Sequence, residues 1–511
     1  MSVSIEAKQT PFHDEVAEVD TPPELTPWQC LKANPKIVLW TLYANIGSTM
    51  VGYENLALSV CLAMPAFQMT FASEVNGVLI IPAYWQSLWN ALYNIFNMLG
   101  SVSAGHLQDW FGRRSVFLAA IIIGSAGVAV SYISKTPAEF LGGKIVAGYA
   151  VGLLLAGTQT YVSEIAPLPM RGLALSTNTV MLNLGLLIGI SATFSRVSIM
   201  DQSAFRVVFA AAWAFPALLA AGLAFMPESP YWLVMKDKHD AALVSLRRLS
   251  RKGENLDARL AEIQATVEAE RRMRIAFKNS GLVEIFKGTN LRRTCIILIC
   301  MYMPQIVGAV LSANAPYFLS QTGLPSHTVL MLVQVAVSVG LVSALINIVL
   351  MMRFRHRPLM FLGVSICVVM YLIMGIASAL PRSSATLTVI GVATAFTSIS
   401  YGPAVGASMA VAGEVSAANV RAKSLGVGQA FSSFASVVWT IVLPYLFNQD
   451  EANLGGKIGW IFFGMAVVYF GLMYFFVPGT KDRTFEELDI MFERRISARR
   501  FEKYQLNETS A

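Results

Sequence analysis

Along this chain apolar residues come in runs of roughly 20, separated by short polar gaps. The runs lie at 36–60, 83–107, 114–132, 138–160, 172–194, 206–226, 294–320, 327–351, 358–380, 387–411, 424–446 and 457–477. A run of that length crosses a hydrocarbon core as a helix, because a helix satisfies its own backbone polar groups where no water can. The pattern therefore predicts an all-α membrane protein with twelve transmembrane helices. Three stretches interrupt it. Residues 1–35 are polar and hold five Pro and a series of acids from Glu6 to Glu24. They lack the basic start and apolar stretch of a secretory signal and read as a disordered tail. Residues 227–293 alternate charge sign. They read either as short amphipathic helices on the membrane surface or as a plain linker of solvated helices. Residues 478–511 form a polar C-terminal tail.

Composition agrees. Of the 511 residues 55% are hydrophobic and 14% charged, with mean hydropathy +0.56, against about 25% charged in an average soluble domain. That excludes a disordered chain and disfavours a soluble enzyme. Cys30, Cys61, Cys295, Cys300 and Cys367 are scattered, with no CxxC, and read as small membrane-core residues.

The net charge of +7 invites a nucleic-acid reading until the charges are placed. Twelve spans put both termini on one side. The tails and loops on that side carry 32 of the 38 Lys and Arg residues, fourteen of them in 227–293. The opposite loops hold only Lys135, Arg196, Arg206, Arg382 and Lys457, and Lys144 lies inside a span. This is the positive-inside bias, so both termini are expected in the cytoplasm and no nucleic acid is implied.

The chain also repeats itself. Glu164 and Arg171 recur as Glu414 and Arg421, each 250 residues on, and Pro227 recurs as Pro478. Two six-span halves in the same orientation fit a parallel repeat about the membrane normal, with a substrate cavity between the halves near the midplane. The expected units are a tail 1–35, an N-half 36–226, a linker 227–293, a C-half 294–477 and a tail 478–511.

Between the second and third runs stands GHLQDWFGRR, residues 105–114. This GxxxDxxGRR pattern resembles the signature loop of the major facilitator superfamily. With YVSEIAP at 161–167, PESPYWL at 227–233 and TFEELD at 484–489, the chain resembles the sugar porter family. Its C-terminal string is similar to fungal maltose and other α-glucoside permeases. The departures lie mostly in the second half. Arg353-Phe354-Arg355-His356-Arg357 stands where the family usually has DRxGRR, PGTKD at 478–482 where PETKG is usual, and Pro304 where a glutamine is usual.

Two ionisable residues sit within spans, where charge is costly and usually functional. Glu54 lies deep in the first run and Lys144 a few residues into the fourth, at similar depth. The resemblance implies that Glu54 binds a proton and Lys144 tunes it; the other reading is a structural ion pair with Lys144 snorkelling. A second set clusters at the ends of spans: Asp109, Arg113, Arg114, Glu164, Arg171, Glu228, Glu414 and Arg421. In the family such residues form a cytoplasmic gate of salt bridges between the halves; otherwise they are static helix caps. A sugar needs amides and aromatic faces. Asn183, Gln305, Asn314, Tyr317, Gln429 and Trp439 are the candidates, each of which could instead bond a neighbouring helix.

The five His show no ligand spacing and no phosphate loop or nucleophile elbow appears, so no metal, cofactor or enzymatic reaction is expected. By resemblance the chain is expected to carry a sugar, foremost an α-glucoside such as maltose, together with a proton, as a monomer in the plasma membrane. Alternatives are a carrier or exporter of a glycosylated or polar secondary metabolite, a vacuolar location, and a sugar sensor that does not transport.

Overall fold

The computed structural model describes residues 27–504, apart from 76–77, 252, 254, 277–281, 418–419, 449, 481–482 and 484. Most of the tail expected over 1–35 thus lies outside the described residues. A short helix α1 (Pro27–Ala33) leads into the first span, α2 (Pro35–Ala44) and α3 (Ile46–Leu62). Helix α4 (Pro65–Phe71) turns away from it by 77°. A small antiparallel pair, β1 (Ser73–Val75) with β2 (Val78–Ile80), leads to the second span. Spans two to five are α5 (Ala83–Phe111), α6 (Arg113–Ile133), α7 (Pro137–Ile165) and α8 (Leu168–Phe194). The sixth is made of α9 (Ser203–Ala211) and α10 (Ala214–Leu223). The linker holds α11 (Pro230–Met235), α12 (His239–Leu249) and α13 (Leu256–Ala276).

The seventh span is broken into α14 (Gly288–Ile306), α15 (Ala309–Ala313) and α16 (Ala315–Gln321). Spans eight and nine are α17 (Ser326–Arg353) and α18 (His356–Ala379), and the tenth is α19 (Ser384–Phe396) with α20 (Ser398–Val415). The last two are α21 (Arg421–Phe447) and α22 (Ile458–Phe476), followed by α23 (Phe485–Glu493) in the tail. Among the described residues ten helices are long and apolar enough to cross a membrane, and the first span with α4 makes an eleventh. The twelfth is α5, with 29 residues; Gln86, Asn90 and Asn94 along it lower its apolarity. The expected all-α, twelve-span fold in two halves is therefore present.

Close approach of helices replaces the hydrophobic effect inside a bilayer. In the N-half α3 and α8 touch backbone to backbone. A Cβ on Gly52 would overlap the Leu182 carbonyl, and one on Gly185 would overlap that of Thr49. In the C-half the break in span seven has a specific cause. Pro304 sits near the end of α14, and Gly308 follows in the left-handed region at φ 77°. The Tyr371 hydroxyl donates to the Ile306 carbonyl at 3.1 Å and occupies the space a Cβ on Gly308 would need. The chain restarts as α15 with a new helical phase.

The linker packs as three helices around its own small core of Trp232, Leu233, Val234, Ala242, Leu246 and Leu260. It is docked on the N-half. The Trp232 indole donates to the Asp109 carbonyl at 3.2 Å, and Lys36 donates to the Ser250 carbonyl at 2.9 Å. The C-terminal tail folds back likewise. Arg293, buried at the start of span seven, pairs with Asp489 on α23 at 2.6 Å and lies 4.5 Å from the Phe492 ring centroid.

Candidate functional site

Between the halves lies a cavity of about 330 Å³. The N-half contributes Glu54 and Asn55 from α3, Asn90, Tyr93 and Asn94 from α5, Lys144 from α7, and Asn183 from α8. The C-half contributes mainly α15, α17, α19 and α20, the last with Ser398 and Tyr401. Asn90 and Asn94 each donate to a carbonyl four residues back, as do Asn183 and Asn314. Each amide thus anchors one N–H on its own helix and keeps its other N–H for a guest.

The two intramembrane charges meet in this wall. Lys144 Nζ lies 3.0 Å from Glu54 Oε2, and the side chains are only 1% and 2% exposed. The ammonium is ringed by Phe209, Phe140 and Tyr93, with centroids at 5.1, 5.6 and 6.0 Å. Aromatic faces stabilise a desolvated cation by about 2 kcal/mol or more. Lys144 is therefore held inside, not snorkelled to an interface. The Tyr93 hydroxyl also donates to Asn55 Oδ1 at 3.0 Å, which ties the pair to the next polar group on the wall.

At the end of the bundle away from the linker the two halves are bonded together. Asn448, fully buried, donates to the Ile81 carbonyl at 3.0 Å and accepts from Gln86 at 3.3 Å and from Tyr317 at 3.1 Å. Asp450 accepts from the Ala83 amide at 3.3 Å, and Ser87 donates to the Ile441 carbonyl at 2.9 Å. The Phe194 and His327 rings meet at 4.9 Å. This end of the cavity is closed.

At the linker end, among the described residues, motif residues form ion pairs inside each half. Arg113 donates through Nε to Glu164 at 2.8 Å, and a second guanidinium nitrogen reaches the other carboxylate oxygen. Glu228 accepts from the backbone amides of Arg113 and Arg114 at 2.9 and 3.2 Å, capping α6 where the helix dipole favours an anion. Gly112 makes this cap possible. It adopts φ 92°, and a Cβ there would lie 2.6 Å from Glu228 Oε2. The repeat carries its own version: His356, in place of an arginine, lies 3.3 Å from Glu414. Arg421 donates to the Ser416 hydroxyl at 3.1 Å. Asp109 and Arg171 are exposed and stand apart from these pairs.

Of the six residues singled out for substrate, Asn183 and Asn314 line the cavity. Tyr317 belongs to the closed end. Gln305 faces α21, 3.5 Å from the Ser432 carbonyl. The Trp439 indole donates to the Tyr302 hydroxyl at 3.1 Å and lies tilted against the Phe462 ring, inside the C-half. Gln429 is exposed and outside the lining. The sequence reading missed Asn55, Asn90, Tyr93 and Asn94. A signal was there: Gln86, Asn90 and Asn94 recur every fourth residue in an apolar run, which puts three amides on one helix face.

Fold and cavity together define a twelve-span membrane protein with a cavity between its two halves. Residues 40–492 match the family described as sugar (and other) transporter, and the chain belongs to that family, within the major facilitator superfamily. It is 28% identical to the general alpha-glucoside permease of Saccharomyces cerevisiae over 93% of this chain and 78% of that one. It is also 28% identical to the MFS transporter fmqE of Aspergillus fumigatus, over 94% and 91% of the two chains. The inward-open structure of the xylose transporter XylE from E. coli superposes with a TM-score of 0.71 at 20% identity, covering 89% of this chain and 99% of that one. That likeness establishes the fold. The matched relatives are transporters and permeases, so the chain is a multi-pass membrane carrier and not an enzyme.

Proposed function

We propose that the protein is a proton-coupled sugar carrier that takes up an α-glucoside, maltose being the first candidate, by alternating access. The single observation that carries the reading is the buried Glu54–Lys144 pair in the wall of the central cavity. A carboxylate and an ammonium are expensive to hold there, and an apolar pair of the same volume would serve stability as well. A group that must gain and lose charge accounts for the expense.

The steps follow from the geometry. A proton taken up on a Glu54 carboxylate oxygen cancels the attraction that holds it to Lys144. The released ammonium stays among its three rings, and Tyr93 and Asn55 transmit the change to the amides that face the guest. Proton and sugar then occupy the cavity together. The linker side is the cytoplasmic side in this reading, on the Lys and Arg bias, so the closed end described above faces outward. Reopening there requires separation of Asn448 and Asp450 from the N-half, while the linker-side charges of both halves come together. Arg113, Arg114, Glu164, Glu228, Glu414 and Arg421 form that gate, with Asp109 and Arg171 joining from the surface. The permease among the relatives and the family description support a sugar as cargo. The protein acts as a monomer in the plasma membrane, with both termini in the cytoplasm.

Glu54→Gln is the test. The variant is expected to lose accumulation of labelled maltose against a gradient and to keep exchange of internal for external sugar. Accumulation at the wild-type level would remove Glu54 from the coupling mechanism.

A further inference from the structure

The two walls of the cavity are chemically unlike. The N-half wall holds both ionisable groups, Glu54 and Lys144, and four of the five lining amides. The C-half wall is the larger and holds no charge and one amide, Asn314, one N–H of which is spent on the Val310 carbonyl; its other polar groups are the hydroxyls of Ser312, Thr394, Ser398, Tyr401, Ser436 and Thr440, none of them on α17. Along α17 it presents Val333, Ala336, Val337, Gly340 and Ala344 at helical spacing, all toward the cavity. Of the polar lining on α19, Thr394 donates to its own helix at the Ile390 carbonyl, 2.8 Å away. Two larger C-half groups able to hold a sugar point elsewhere, Gln305 toward α21 and the Trp439 indole onto Tyr302, while Tyr401 lines the cavity from α20, off the α17 face. The small residues on α17 also keep the wall flat. At Gly340 a Cβ would come within 3.4 Å of Asn183 Oδ1 on the facing half, so the amide wall and the apolar wall approach closely there.

A bare disaccharide carries hydroxyls around its whole rim. Against the α17 face it would leave the hydroxyls turned that way without partners, at about 1–3 kcal/mol for each buried unsatisfied group. A two-faced molecule loses nothing. Resting on the sugar-carrier reading, we infer that the preferred cargo is a glycoside with an apolar, flat aglycone. The sugar ring lies against Asn55, Asn90, Asn94 and Asn183, and the aglycone lies on α17.

Competition against uptake of one labelled glucoside distinguishes the cases. The series is methyl α-glucoside, maltose, 4-nitrophenyl α-glucoside and free 4-nitrophenol, with the full chain in cells lacking their own α-glucoside carriers. The aryl glucoside is expected to compete at a concentration on the order of tenfold or more below methyl glucoside and maltose, because only it buries an apolar ring. Free nitrophenol should compete poorly, since it lacks the ring that the amides hold. Val337→Asn, which puts an amide on the apolar wall, should narrow the gap between aryl and methyl glucoside at similar surface expression. Equal competition by all three glucosides, or better competition by maltose, would overturn the two-faced cargo and leave the sugar carrier standing. No uptake or competition by any glucoside, with the protein at the cell surface, would overturn both.

Discussion

Asn448→Ala tests the closed end directly. The side chain is fully buried and links both halves, through the Ile81 carbonyl and Gln86 on one side and Tyr317 and Asp450 on the other. Truncation removes two bonds between the halves. The Ile81 carbonyl keeps Gln86 as a donor at 2.7 Å, whereas the buried Tyr317 hydroxyl is left without its acceptor as long as this end stays shut. Two net hydrogen bonds at about 0.5–1.5 kcal/mol each, plus part of the cost of one stranded hydroxyl, come to about 2–3 kcal/mol. In water the stranded group finds a partner, so the whole sum favours opening. That is a roughly 30- to 160-fold shift of population. The assay is the labelling rate of a thiol at Ala313→Cys, in the cavity, by a membrane-impermeant maleimide added to intact cells. Asn448→Ala should raise the rate by about that factor while the open form remains the minority, and should lower labelling of inside-out vesicles little. An unchanged rate from outside, with the same amount of protein at the surface, would show that the bonds of Asn448 do not hold the halves together.

Glu54→Gln should lower stability by about 3–5 kcal/mol, because it leaves the Lys144 ammonium buried without its counter-charge. Glu54→Gln with Lys144→Met should recover most of that loss; thermal unfolding in detergent reads both. Gly52→Val and Gly185→Val should abolish protein at the membrane, since their side chains would overlap a backbone carbonyl of the facing helix, whereas Gly105→Ala, with nothing within 4 Å, should express normally. Asp489→Ala should loosen α23, because the buried Arg293 loses its partner; Asp489 is about half exposed, so the loss is about 1 kcal/mol or less and shows as faster limited proteolysis of the tail, not as lost transport.

The twelve spans were legible because a run of about 20 apolar residues is a one-dimensional signal that needs no tertiary information. Even α5, the most polar of them, was found from its run at 83–107. Helix ends were less so: α7 continues to Ile165, five residues past the run 138–160, since Tyr161–Ile165 is helical though no longer uniformly apolar. The Glu54–Lys144 pair could be read from depth alone. Which side of a helix a residue presents is another matter. The run 294–320 reads as one span, but the left-handed Gly308 resets the helical phase within it. Gln305, before the break, faces α21, and Asn314, after it, faces the cavity, while Tyr317 joins the closed end. No count along the sequence carries that rotation. The linker's docked three-helix core likewise depends on Trp232 finding the Asp109 carbonyl, more than a hundred positions away.

The most direct test of proton coupling is uptake of a labelled α-glucoside by cells lacking their own carriers, at external values of about pH 5 and about pH 7, with and without a protonophore. With the interior near neutral, two pH units supply about 2.7 kcal/mol, enough for roughly 100-fold accumulation with one proton per sugar. Faster, concentrative uptake is expected at the lower pH, collapsing to equilibration when the protonophore is added. Uptake that is independent of external pH and untouched by the protonophore would contradict it.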